Sequence, residues 1–184
     1  MPGYYLEDKK VKSIVEKFLK AQKIVEEEEQ MNKNLKAFLK VIAKAEGTIQ
    51  IPDSENGYKA VIGGMIFDNY ARHPNHKIWI ARLGKFSTAA GRYNILFRFW
   101  KTYQKQLNLP DFGPESQDAI AIQLIKECNA FEDIEKGDFH AAIAKCALCW
   151  PSLTVSGHGQ NHYETDYLHQ CFIEAGGIDY NHTD

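Results

Sequence analysis

At 184 residues with 44% hydrophobic and 12% aromatic content, the chain is long enough for one domain with a sizeable core and room for an appendage. Its 22 basic and 24 acidic side chains leave a formal charge of −2, which excludes a global polycation built to hold nucleic acid and a polyanionic tail. No apolar run approaches the ~20 residues that cross a bilayer, and charges interrupt MPGYYLEDKKVKSIVEKFLK before a secretory apolar region forms, so a folded, soluble chain without a signal peptide is expected.

Residues 9 to 25 place Val11, Ile14, Val15, Phe18, Leu19, Ala21 and Val25 along one side of a helix, with Lys9, Lys10, Lys12, Lys17, Lys20 and Lys23 largely around the other faces. Such a helix packs on the main domain or on a second copy, or lies on an anionic membrane surface. The acidic run Glu26 to Glu29 follows, and QMNKN reads as a break, so residues 1–31 are expected to form a helical extension and 32–184 the main domain; Met31 offers an alternative start that would make the extension dispensable.

A second helix carries Leu35, Phe38, Leu39 and Ile42, and the same spacing brings Glu46 onto this apolar face, with Gly47 as the stop. Short strand-like runs follow in GYKAVIGG, MIFDNY and KIWIARL, punctuated by Gly57, Gly63, Gly64 and His73-Pro74. From Ser87 onward the pattern is helical: Ser87 or Thr88 as cap of a long helix with Leu96, Phe99, Trp100, Tyr103 and Leu107 inward, then LPDFGPESQD as a turn leading into a helix with Ile120, Leu124 and Cys128 on one stripe. Helices over roughly 138–149 and 162–175 flank PSLTVSGHGQNH, a polar loop long enough to move. The plan is α+β, a small strand region beside a helical body, with a groove between them for a ligand.

Cys128, Cys146, Cys149 and Cys171 all fall in helical-looking segments, and Cys146 and Cys149 form a CxxC on one helix face. No second CxxC or HxxxH stands at finger spacing, so the cysteines read as small buried hydrophobes of a reducing compartment rather than as a zinc site.

Glu46 is the residue with chemistry to offer. Desolvation, the negative end of its helix and neighbouring Asp53 or Glu55 would all raise its pKa. A carboxylic acid still protonated near neutrality can donate to a glycosidic oxygen; a solvated helix-end glutamate is the plainer alternative.

The collinear blocks AEGT, NGYKAVIGG, FDNYARHP, FSTAAGRYNIL, QLNLPDFGPESQDAIA, IEKGDF, SGHGQ and EAGG, spanning about residues 34 to 177, resemble the lambda-type phage endolysins. The resemblance implies a lysozyme-like fold and non-hydrolytic cleavage of the β-1,4 bond between N-acetylmuramic acid and N-acetylglucosamine in peptidoglycan, as lytic transglycosylases do, with Glu46 as the acid and then the base and with no metal or organic cofactor. It further implies that Tyr58, Ser87, Thr88, Arg92 and Tyr93 line the cleft, and that Gly157, Gly159 and Gln160 belong to a flexible lip facing residues 75–84. The local alternatives are Ser87 or Thr88 as a cap only, Arg92 in a surface ion pair and Tyr93 in the core. Lys59, Asn94 and His158 stand where the family pattern has aspartate, glutamine and tyrosine, and the loop after Glu46 is two residues shorter; these departures bear on substrate contacts and leave the acid in place.

Glu55 lies nine residues after Glu46, a spacing found in hydrolytic phage lysozymes, but Val61 stands where those enzymes carry a threonine. Asp53 and Glu55 therefore read as loop charges, with a hydrolytic muramidase as the alternative and a non-catalytic glycan-binding protein as a third. The expected partners are peptidoglycan glycan strands and, through residues 9–25, the outer membrane. The family resemblance places the protein in the host cytoplasm before lysis and at the wall in the periplasm after release through a holin-type pore that it does not bind directly.

Overall fold

The computed structural model describes residues 4–154 and 164–180. Its first element, α1, runs from Tyr4–Ala45 over 42 residues without interruption, so the break expected at QMNKN is absent. Glu, Gln, Met and Lys are good helix formers, and no proline or glycine intervenes. Asn34, a weaker helix former, is buried and tied down by tertiary bonds: its amide nitrogen donates to the carbonyls of Ile134 and Ile178 at 3.1 and 3.3 Å, and its oxygen accepts from the Ile178 N–H at 2.9 Å.

Asn34 divides α1 in two. Between Lys12 and Glu26 every described side chain is exposed, Phe18 at 62% and Leu19 at 57% among them, so none of these described side chains is buried against the body. Beyond Asn34, Phe38, Val41 and Ile42 are 0% exposed. Phe38 meets Phe139 edge-on at 6.1 Å, and Phe139 meets Phe172 at 5.1 Å, joining α1 to helices from the far end of the sequence. Burying each such side chain contributes about 1.5–3 kcal/mol.

The strand region is two antiparallel hairpins, β1 (Ala60–Val61) with β2 (Met65–Ile66) and β3 (Ile78–Ile80) with β4 (Lys85–Ser87), in register Ala60 to Ile66 and Trp79 to Phe86. Single bridges Val61 to Ala90 and Ala90 to Ile95 carry the pairing into the following turn. The helical body is α2 (Phe97–Gln106), α3 (Pro114–Glu127), α4 (Phe131–Glu135), α5 (Phe139–Cys146) and α6 (Thr165–Glu174).

Several boundaries differ from the sequence reading. The helix expected from Ser87 starts at Phe97, with Leu96 rather than Ser87 or Thr88 at its N-cap, because Gly91 and the two bridges make residues 88–96 a turn; Thr88 accepts the Phe97 N–H at 3.1 Å from across that turn. Strand β4 and the single short helix α4 have too few residues for a periodic signal. Cys149 lies three residues beyond the end of α5, so it does not share a helix face with Cys146. His73 pins the strand region to the body. Its Nε2 bonds the Ile95 carbonyl at 2.8 Å, its Nδ1 accepts the Asn75 N–H at 3.0 Å, and its ring lies 4.6 Å from that of Phe112. Burial holds its pKa down, which keeps the neutral ring these two bonds require.

Candidate active site

The last turn of α1 ends at Ala45, and the Glu46 N–H still bonds the Ile42 carbonyl at 2.9 Å, so the side chain is aimed by a rigid helix. Gly47 then takes a left-handed φ of 73° that stops the helix. Buried Thr48 donates its hydroxyl to the Arg92 carbonyl at 2.6 Å, binding the end of α1 to the turn Gly91–Asn94.

That turn presents Asn94. Gly91 has φ 77°, and a Cβ there would sit 2.3 Å from Gln117 Oε1, so only glycine admits the buried Gln117 amide. Gln117 Oε1 accepts the Arg92 N–H at 2.8 Å while its nitrogen donates to the Tyr58 and Phe112 carbonyls at 3.0 and 2.8 Å. Asn94 itself has φ 49°, a region asparagine tolerates better than most side chains. Its Nδ2 donates to Glu46 Oε2 at 2.6 Å.

The second contact comes from 106 residues away. Ser152, buried in the short turn Pro151–Leu153 after α5, donates its hydroxyl to Glu46 Oε1 at 2.5 Å. The neighbouring Trp150 indole donates to the Tyr93 carbonyl at 3.1 Å, fixing this turn to the Gly91–Asn94 turn. Each carboxyl oxygen of Glu46 is thus held by a different segment.

Burial pushes the Glu46 pKa above the ordinary carboxylate value, and the bonds from Ser152 and Asn94 oppose this without cancelling it. Two cavities meet at this side chain. The larger, ≈ 930 Å³, is lined by Glu46, Ser87, Thr88, Tyr93, Asn94 and Trp150 among others. The smaller, ≈ 200 Å³, adjoins Glu46, Gly47, Gln50, Val61, Gly63 and Asn94. A buried acid at the junction of two hollows can deliver a proton to the middle of an extended ligand.

The profile of the Endolysin family matches residues 36–179. The endolysin of Escherichia phage lambda is 43% identical over 150 residues, covering 80% of this chain and 94% of that protein, and the endolysin of Escherichia phage P2 is 41% identical over 158 residues with 80% and 95% covered. The chain belongs to the Endolysin family. A solved structure of bacteriophage lambda lysozyme complexed with a chitohexasaccharide superposes on this endolysin with a TM-score of 0.75 at 42% identity, covering 80% of this chain and 96% of that one; a second lambda lysozyme structure gives 0.73. The fold is therefore the α+β, lysozyme-like one.

Of the residues singled out from the sequence, the endolysin brings Glu46, Ser87, Thr88, Tyr93 and Asn94 around the larger cavity. Tyr93 does so from a buried position, with its hydroxyl on Asp118 Oδ1 at 2.6 Å. Tyr58, Lys59 and Arg92 line neither cavity and are engaged elsewhere. Tyr58 also donates to Asp118, at 3.0 Å. Arg92 donates to the Asn56 carbonyl and lies over the Tyr58 ring at 5.0 Å. Lys59 pairs with Glu55 at 2.6 Å. Gly157, His158, Gly159 and Gln160 lie outside the described residues. Sequence reasoning missed Ser152, Asp118 and Gln117. Ser152 sat inside a loop read only as polar, and Gln117 and Asp118 closed the stretch LPDFGPESQD, read as a turn, whereas α3 already starts at Pro114.

Proposed function

We propose that this endolysin cleaves the β-1,4 bond between N-acetylmuramic acid and N-acetylglucosamine as a lytic transglycosylase, with Glu46 as acid and then base. One observation carries the reading: among the described residues lining the two cavities, Glu46 is the only carboxylate. The segment 155–163, VSGHGQNHY, contributes no acidic side chain by sequence. Retaining and inverting hydrolases ordinarily use two carboxyl groups, one as acid and one as nucleophile or water activator.

A single group suffices if the substrate supplies its own nucleophile. Glu46 gives its proton to the glycosidic oxygen as the bond to C1 of muramic acid breaks. The resulting carboxylate then takes the proton of the C6 hydroxyl as that oxygen bonds C1, leaving a 1,6-anhydro ring and returning Glu46 to its acid form. Ser152 suits both states, because its hydroxyl donates to the carboxylate and can turn to accept from the acid. Asn94 favours the charged state, so the raised pKa is moderated and the carboxylate formed after donation is stabilised.

Glu55 supports the same reading from the other side. It accepts from Lys59 and Tyr70 on the surface, and these bonds hold its pKa below the ordinary value. Mass spectrometry of digested murein separates the mechanisms: anhydro-muropeptides are one water lighter than the reducing ends a hydrolase releases. Reducing ends alone would overturn the transglycosylase and establish the muramidase, and no digestion would leave a glycan-binding protein.

We also propose that residues 9–25 lie on an anionic membrane surface. Val15, Phe18, Leu19 and Val25 are exposed beside Lys12, Lys17, Lys20 and Lys23, the division of faces an interfacial helix requires. In this reading the protein waits in the host cytoplasm, passes a holin-type pore and works on the periplasmic wall. Deleting residues 1–30 should lower lysis of intact cells more than lysis of permeabilised cells; equal loss in both would sink the membrane role.

A further inference from the structure

Cys128 caps the end of α3, and Cys149 sits in the turn after α5, with its N–H on the Cys146 carbonyl at 2.9 Å. Both are free thiols, and their sulfurs lie 2.7 Å apart although 21 residues separate them in the chain. Cys149 is exposed and Cys128 half-exposed, whereas Cys146 is buried. Two thiols already in contact, one of them open to solvent, are placed to be joined.

We propose that Cys128 and Cys149 become a disulfide when the protein meets an oxidising compartment, fixing the wall that carries Ser152. The exposed Cys149 sulfur, as thiolate, attacks a small disulfide such as oxidised glutathione, forming a mixed disulfide and releasing one glutathione thiolate. Cys128 then gives up its proton and attacks the Cys149 sulfur, and the second glutathione leaves as thiolate. Two protein thiols are oxidised, one disulfide is reduced to two thiols, and the protons end on the leaving groups. The chain then runs from the bond directly into Trp150, on the Tyr93 carbonyl, and Ser152, on Glu46.

Although the Cys149 residue is exposed, partial desolvation of its sulfur, then the bond with Cys128 and the nearby Glu127 carboxylate, pushes the thiol up to about 12, so formation is slow at neutral pH and accelerates between pH 7 and pH 9 as the thiolate fraction grows. The trigger, though not the chemistry, rests on the proposed passage from cytoplasm to periplasm, since thiols persist in the first and pair in the second.

The test uses the purified full chain in a mixture of oxidised and reduced glutathione. The expected result is loss of two hydrogens in the intact mass, a cross-link between the tryptic peptide holding Cys128 and the one running from Cys146 to the C-terminus, placed on Cys149 rather than Cys146 or Cys171 by fragment ions, and a rise in melting temperature of about 5 °C or more. Cys128→Ser should show none of the three while digesting murein, when reduced, at the parent's rate. Persistent glutathione on Cys149, a bridge through Cys146, or no change in mass would overturn the proposal. Failure of both proteins to digest murein would instead count against the catalytic reading, leaving the cross-link result to stand separately.

Discussion

Two glutamates nine residues apart illustrate how one side-chain type takes opposite character from its surroundings. Glu46 ends a rigid helix beneath the cleft, where lost hydration outweighs two hydrogen bonds and the proton is held more tightly. Glu55 sits on the turn beyond, at φ 51°, where Lys59 and Tyr70 bind its oxygens in open solvent and the proton is held less tightly. Spacing made both eligible for chemistry, and environment separates them: only the first borders the cavities. An acid that donates to a sugar oxygen needs what Glu46 has, and a surface ion pair is what Glu55 has.

The sharpest way to break this contrast is to neutralise each residue. Glu46→Gln should reduce murein digestion by about 10³-fold, the scale of a lost general acid, measured as turbidity loss of permeabilised cells. A variant within tenfold of the parent would remove Glu46 from the chemistry. The next largest effect falls on its holders. Ser152→Ala and Asn94→Ala each remove a bond to the charged form, so each should slow turnover by about tenfold. Because those bonds lower the Glu46 pKa, the alkaline limb of the pH–rate profile should move to higher pH in both variants. A shift to lower pH would mean that the bonds favour the acid form.

Stability offers a finer measure. Folded Glu46 keeps its proton at pH values where the unfolded residue, near 4.5, has lost it. Folding then takes up a proton, and stability falls as pH rises through that interval. Glu46→Gln lacks this dependence, so its melting temperature should gain on the parent's from acidic toward neutral pH; a shrinking difference in calorimetry would reverse the assigned direction. The smallest effect belongs to Glu55→Gln, which should leave murein digestion within about twofold, as surface substitutions do. A large loss there would restore the hydrolytic, two-carboxylate reading.

The strongest sequence signals were those a single element carries. The buried face through Phe38, Leu39 and Ile42, the position of Glu46 at its end and the proline start of α3 follow from periodicity and capping, and the collinear blocks identified the family. What escaped depends on distant partners. The continuity of α1 through Asn34 owes much to bonds with residues 134 and 178, which no local propensity contains. The late start of α2 reflects Gly91 accommodating Gln117 from another helix. Ser152 reaches Glu46 only because Trp150 anchors its turn to the Tyr93 carbonyl. Asn94 was marked by resemblance alone, and its grip on the carboxylate became readable only with the left-handed backbone in view.

The unbroken run of α1 also sets a working distance. Phe18 and Glu46 belong to one stiff rod, and at about 1.5 Å of rise per residue they stand on the order of 40 Å apart. If residues 9–25 rest on a membrane as proposed, the end carrying Glu46 is held at a nearly constant standoff, with little freedom to fold back or reach much farther. The stalk then acts as a gauge that selects which layer of the envelope is cut.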